Sequence, residues 1–151
     1  MNESSKSEST EASNKKTVLA LYEEAINAAK PERFADFVSE DYAGPQGTRG
    51  PRGFSGIIDE LRVAFPDVHY AVEDVVAEGD RVVLRWTWTG THRASFRAFA
   101  PTGKRFSNGG IVIFRLRDGK IIEGTTMTDR LGFLEQIGAV APGLVGQPAK
   151  R

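Results

Sequence analysis

Residues 111–138 read IVIFRLRDGKIIEGTTMTDRLGFLEQIG. Apolar residues alternate along IVIFRLR and again along KIIEGTTMT, with Asp118-Gly119 between them, which predicts an antiparallel β-hairpin closed by a two-residue turn. Arg130 to Ile137 then reads as a short helix closed by Gly138, with Asp129 in the cap position. With only Asp118 and Gly119 in the loop, Arg117 falls opposite Lys120. Counting outward sets Asn108 against Asp129, Gly110 against Met127 and Val112 against Thr125, all on one face. A bulge at Gly109-Gly110 slips that count by one residue.

Upstream, HYAVEDVVAE and RVVLRWTWTG flank Gly79-Asp80, a second hairpin signal that aligns Leu84, Trp86 and Trp88 on one face and sets Asp74 opposite Arg85. The connection GTHRASFRAFAPTGKR leaves room for a further strand around Phe96 to Phe99. The N-terminal half is helical in period. Val18, Leu21, Tyr22, Ala25, Ile26 and Ala29 form one stripe; Pro31 ends that helix and opens a second carrying Phe34, Phe37 and Val38. A third starts near Pro51, with Phe54, Ile57, Ile58, Leu61 and Phe65, and stops at Phe65-Pro66-Asp67. Helices followed by antiparallel strands predict an α+β fold, with the helices covering one sheet face.

A chain of 151 residues suits one domain with one core. Composition divides it into a Ser- and Glu-rich leader, residues 1–13, a domain over 14–139, and a Pro- and Gly-rich tail, 140–151. Twenty basic residues balance twenty acidic ones, so no net field draws the chain to nucleic acid or an anionic membrane. Without cysteine there is no disulfide, thiolate nucleophile or thiolate metal site, and no apolar window spans a bilayer. A soluble, cytoplasmic protein is the expectation. Two histidines without His-x-x-x-His spacing argue against a catalytic metal site.

Asp129 has two readings. It is a favoured helix cap, and it shares its expected face with Asn108, Val112, Phe114, Thr125 and Met127, a mostly apolar lining. A carboxylate at the mouth of such a cavity suits general acid–base work. His92, at the end of WTWTGTH, either orients a substrate carbonyl or bonds to backbone as a strand-end residue. Trp86 and Trp88 either wall an aromatic ligand or fill the core. GPQGTRGPRGF is neither a dinucleotide fingerprint nor a P-loop, and Ser55 in GFSGI lacks the second glycine of a nucleophile elbow.

The motifs AFPD, GD-x-V, GTH, PTGK, FR-x-x-DGKI and D-x-LG occur in this order between Val18 and Gly138. That stretch resembles the SnoaL-like polyketide cyclase family, within the nuclear transport factor two-like superfamily. The resemblance implies a curved antiparallel sheet wrapped into a cone by the N-terminal helices, a hydrophobic small-molecule guest inside, and a homodimer formed through the outer sheet face. It implies that Asp129 is the acid–base residue of an intramolecular aldol ring closure, without metal or organic cofactor. Asp129 would remove a proton flanked by carbonyls and return one to the attacked carbonyl oxygen, with His92 and Asn108 in support and Tyr42 and Trp86 lining the pocket. Gly44, and Gly124 with Thr125, stand where many members carry larger side chains. A non-catalytic binding protein and a hydrolase or dehydratase are the alternatives on this fold.

Overall fold

The computed structural model describes residues 3–143; Met1 and Asn2 of the leader and residues 144–151 of the tail lie outside the described residues. Helix α1, Glu3–Ala20, begins inside the stretch that composition sets apart as a leader, and widens into a π-helical turn over Leu21–Ile26. Val18, Leu21, Tyr22, Ala25 and Ile26 are buried, as helical spacing predicts, whereas Ala29 is exposed in the turn beyond the helix, at φ +53°. Asn27 then fastens this end to the sheet. Its Nδ2 donates to the Tyr70 carbonyl at 2.7 Å, and the Tyr70 N–H donates to its Oδ1 at 2.9 Å. The amide thus serves as a surrogate neighbour for an exposed strand edge.

After a 3-10 turn at Pro31–Arg33, helix α2 lasts only from Phe34–Phe37, and strand β1 follows at Val38–Ala43. The expected helix therefore stops one residue short of Val38. Only Val38 and Tyr42 of β1 are buried, so no alternation marks it as a strand. Helix α3 spans Gly50–Ala64 with Pro51 in its first turn, where its missing N–H costs nothing. Strands β2 (His69–Glu78), β3 (Arg81–Thr91), β4 (Arg105–Arg117) and β5 (Lys120–Thr128) complete the sheet, and α4 (Arg130–Gln136) closes the chain. The strand order is β1-β5-β4-β3-β2, antiparallel except where β1 runs parallel to β5. This is an α+β fold, with the N-terminal helices packed on a mixed, mostly antiparallel sheet.

Along β4 burial alternates without a break: Phe106, Asn108, Gly110, Val112, Phe114 and Leu116 face inward, and their neighbours face out. The first hairpin pairs as expected from its turn to Asp74, which lies opposite Arg85 with the side chains 2.6 Å apart; a bulge at Glu73 then sets Val72 opposite Trp86. The second does not. Arg117 faces Lys120 and Leu116 faces Ile121, but the register then slips at Ile122, so Arg115 faces Glu123 and Val112 faces Thr126. Without the bulge, Glu123 would lie beneath Phe114, inside the core. With it, Glu123 reaches the outer face beside Arg115 and Gly124 takes the inner place instead. The expected pairings of Asn108, Gly110 and Val112 are corrected accordingly: Gly110 faces Thr128, and Met127 and Thr125 lie opposite Ile111 and Ile113.

The loop between β3 and β4 holds no further strand. Phe96 and Phe99 exchange two backbone hydrogen bonds of 2.9 Å around Arg97, whose φ of +52° makes this a tight turn with one isolated bridge. No described helix is long and apolar enough to cross a membrane.

Candidate active site

The interior is walled by aromatic rings, and two glycines make space for them. A Cβ on Gly110 would lie 2.4 Å from the Trp86 ring, and one on Gly124 would lie 2.9 Å from Phe114. Tyr70 meets Trp86 edge-on at 5.0 Å between centroids and stacks on Trp88 at 5.9 Å. Tyr22 reaches Tyr70 from the π-helical turn at 5.7 Å, and Tyr42 meets Phe54 at 5.4 Å. Trp88 also packs against Phe106 and against Phe133, through which α4 closes this end of the core. Each buried aromatic side chain contributes on the order of 1.5–3 kcal/mol to the fold.

Four buried polar atoms in this region find no hydrogen-bond partner among the described residues: Trp86 Nε1, Trp88 Nε1, His92 Nε2 and Asn108 Oδ1. Such atoms are normally paired, since each one left alone costs roughly 1–3 kcal/mol. The Trp86 indole N–H acts on the Tyr22 hydroxyl through a hydrogen bond of poor geometry, which pulls that hydroxyl down. Burial, with Tyr70 and Tyr42 adding to it, pushes the Tyr22 hydroxyl far above the usual tyrosine range. Burial does the same at Tyr70, opposed by the positive charge of Arg62, and burial raises Tyr42. All three phenols therefore stay protonated and able to donate.

His92 is fully buried and packs 5.4 Å from Phe65. Its Nδ1 accepts the Thr102 N–H at 3.3 Å, which leaves the proton of a neutral ring on Nε2. The His92 N–H donates to the Lys104 carbonyl, and the Gly103 N–H donates to the His92 carbonyl. The histidine thus latches both ends of the loop from 92 to 104, while one nitrogen stays unengaged.

Asp129 lies on the surface, at the junction of β5 and α4. Its Oδ1 accepts the Gly132 N–H at 2.9 Å, a helix cap. Gly132 has to be small, since a Cβ there would come within 2.1 Å of Asp129 Oδ2. Asn108 does reach Asp129, but by donating from Nδ2 to the main-chain carbonyl at 3.1 Å rather than by cross-strand pairing. Of the residues grouped with Asp129 by sequence, Asn108, Val112, Phe114, Trp86, Tyr42 and His92 are buried inside. Thr125 and Met127 are not brought there. The bulge at Ile122 turns them to the outer face, where Met127 is 74% exposed. The expected lining of Asp129 is corrected in two members: Thr125 and Met127 are absent from it, and the exposed carboxylate caps a helix beside buried Asn108.

Sequence reasoning passed over Tyr22, Tyr70 and Arg62. A signal for Tyr22 was present: it is the one hydroxyl-bearing residue in an otherwise aliphatic helical stripe.

A model of the SnoaL-like polyketide cyclases matches residues 16–137. The chain belongs to the SnoaL-like polyketide cyclase family. This SnoaL-like chain is 30% identical over 126 residues to aklanonic acid methyl ester cyclase DauD of Streptomyces sp. (strain C5), covering 79% of the chain and 78% of that relative. It is 25% identical over 126 residues to nogalonic acid methyl ester cyclase of Streptomyces nogalater, covering 76% of the chain and 90% of the relative. Among solved structures, TsrD from Streptomyces laurentii superposes with a TM-score of 0.74 at 27% identity, over 93% of this chain and 99% of that one. Wild-type IdmH from Streptomyces antibioticus gives 0.72 at 31%, over 83% and 98%.

Proposed function

We propose that this protein is a cofactor-independent cyclase that closes a ring in a hydrophobic, carbonyl-rich small molecule by an intramolecular aldol reaction, with Asp129 as acid and base. In that reaction Asp129 takes a proton from a carbon flanked by carbonyls, and the resulting enolate carbon bonds to a second carbonyl carbon of the same molecule. The proton then goes to the oxygen of the attacked carbonyl, which becomes a hydroxyl. One C–C bond forms, and the atomic composition is unchanged. The observation behind the reading is the position of Asp129 in a family whose relatives include methyl ester cyclases: it ends the last strand, held by the cap bond from Gly132 and by buried Asn108. His92 and Asn108 would position the guest, each through its unpaired buried atom. The same proposal includes a homodimer through the outer sheet face, where Val76, Ile111, Ile113 and Met127 are exposed.

The test uses aklanonic and nogalonic acid methyl esters, the compounds named in the relatives, with product followed by mass-resolved chromatography. Asn caps a helix as well as Asp does, so Asp129→Asn should keep the melting temperature of the parent. Its turnover should fall at least ~100-fold if the residue transfers protons. Unchanged turnover would remove Asp129 from the chemistry. The second reading, a binding protein without catalysis, draws on the exposure of Asp129 and its engagement as a cap. Tight binding of either ester followed by recovery of the intact compound from the parent protein would favour it.

A further inference from the structure

At the end of the sheet away from Asp129, both hairpin turns meet α1. The Leu116 N–H donates to the Asp80 carbonyl at 2.8 Å, which ties the end of β4 to the β2–β3 turn. The Gly79 N–H donates to Glu11 Oε1 at 2.9 Å, which ties the same turn to α1. A cavity of about 490 Å³ lies between them, bounded by Ser13 and Asn14 of α1, Gly79 and Asp80 of the first turn, and Asp118 and Gly119 of the second. That volume is in the range of small-molecule sites. The whole of β5, Lys120–Thr128, separates this cavity from Asp129.

The lining has a definite chemistry. Asn14 is 4% exposed, and its side chain makes no hydrogen bond among the described residues. A buried amide normally has partners, and the open side of this one is the cavity. Asp118 is a carboxylate left over from the surrounding ion pairs: Arg115 is engaged by Asp80 at 2.8 Å and Arg117 by Asp41 at 3.0 Å, and no cation pairs with Asp118 among the described residues. No Lys, Arg or His lines the cavity, whereas Leu116 and the two glycines give it an apolar strip. A bare divalent ion fits poorly, since it takes six or more oxygens close together and no group of three metal-ligating side chains occurs among the described residues. A quaternary ammonium is held by aromatic faces, and the lining has none.

We propose that this cavity binds a small primary alkylamine as its ammonium ion, which donates to Asp118 and to the Asn14 side-chain oxygen while its methylenes lie along Leu116 and the turn glycines. Such amines keep their proton at neutral pH, and three N–H donors on one nitrogen can serve acceptors from a helix and a turn together. The site stands apart from the cyclase reading and does not depend on it.

The backbone amides of Gly79 and Gly119 report on the cavity in isotope-labelled full-length protein. Titration with n-butylamine at neutral pH and fixed ionic strength should shift both resonances to saturation, with a midpoint on the order of 1 mM for so small a ligand. Butan-ol of the same length lacks the charge and tetramethylammonium lacks the N–H donors, so each should bind at least about 5-fold more weakly. Asp118→Asn suits the same positive φ of +52° and should weaken n-butylamine about 5-fold, as befits an ion pair open to solvent. Asn14→Ala favours the helix and should weaken it by a similar factor. Shifts that do not saturate, equal binding of the alcohol, or unchanged affinity in both variants would overturn the proposal. Tighter binding of magnesium than of the amine at the same resonances would overturn it in favour of a metal site.

Discussion

At Asp129 the carboxylate accepts from the Gly132 N–H and the main-chain carbonyl accepts from Asn108, so the residue is held from two sides while facing solvent. Asp129→Ala should therefore cost about 1 kcal/mol through the lost cap alone, which is why Asn is the substitution that isolates chemistry. Asp67 is held by a different set of bonds. Its Oδ1 accepts the Thr91 N–H and its Oδ2 accepts the Thr91 hydroxyl, both at 2.7 Å, tying the turn after α3 to the end of β3. Partial burial acts to raise this carboxyl, but the two bonds from Thr91, with Arg105 nearby, outweigh it and hold the group below its ordinary 3.8. A lowered value in the folded state means stability that is complete above the unfolded-chain value and is lost as pH falls through the folded one. Melting temperature measured from about pH 5 down to pH 3 should fall less steeply in Asp67→Asn than in the parent. Parallel curves would show that Asp67 takes no part in the acid response.

The β4–β5 hairpin shows how one element decides what its side chains face. The turn residues behave as their sequence demands: Asp118 and Gly119 take φ of +52° and +76°, and Arg117 pairs with Lys120. Beyond Ile121 the pairing answers to burial. A strict count would place a glutamate inside, and the bulge at Ile122 avoids that at the expense of one unpaired residue. Gly110 and Gly124 then make sense as the floor beneath Trp86 and Phe114. Gly110→Ala should displace the Trp86 ring and cost on the order of 1–3 kcal/mol in chemical denaturation, with a shift in tryptophan emission. A stable variant with parent-like emission would show that Trp86 is not held against this glycine.

Across the whole molecule the sheet has one closed face and one open one. The inner face meets the helices. On the outer face Val76 pairs across to Val83, Val83 to Ile113 and Ile113 to Thr125, with Ile111 and Met127 in the next row. Ion pairs of Arg85 with Asp74 and Arg115 with Asp80 flank these apolar rows. Exposed and mutually adjacent β-branched residues ringed by charge are suited to a self-complementary contact. Ile113→Lys should therefore shift the protein from dimer to monomer in sedimentation or light scattering, with its melting curve otherwise retained. A parent protein that sediments as a monomer at micromolar concentration would end the dimer proposal.

The sequence alone determined the elements whose signals are local. Two hairpins with two-residue turns, the helical stripe through Val18 and Ile26, the start of α3 at Pro51 and the cap at Asp129 are each specified by residues within a few positions of one another. The motif order from AFPD to D-x-LG added the family. Tertiary structure decided the rest. β1 exists because Val38 and Ala43 pair in parallel with Ile121 and Glu123 of β5, which no local period announces. Met127 and Thr125 face outward because the core excludes Glu123, a constraint from Phe114 on the neighbouring strand. The Tyr70 ring packs against Tyr22 and Trp86, bringing together a helix and two strands far apart in the chain. Local patterns encode φ, ψ and turn type; the face a side chain finally presents depends on what burial across the sheet will accept.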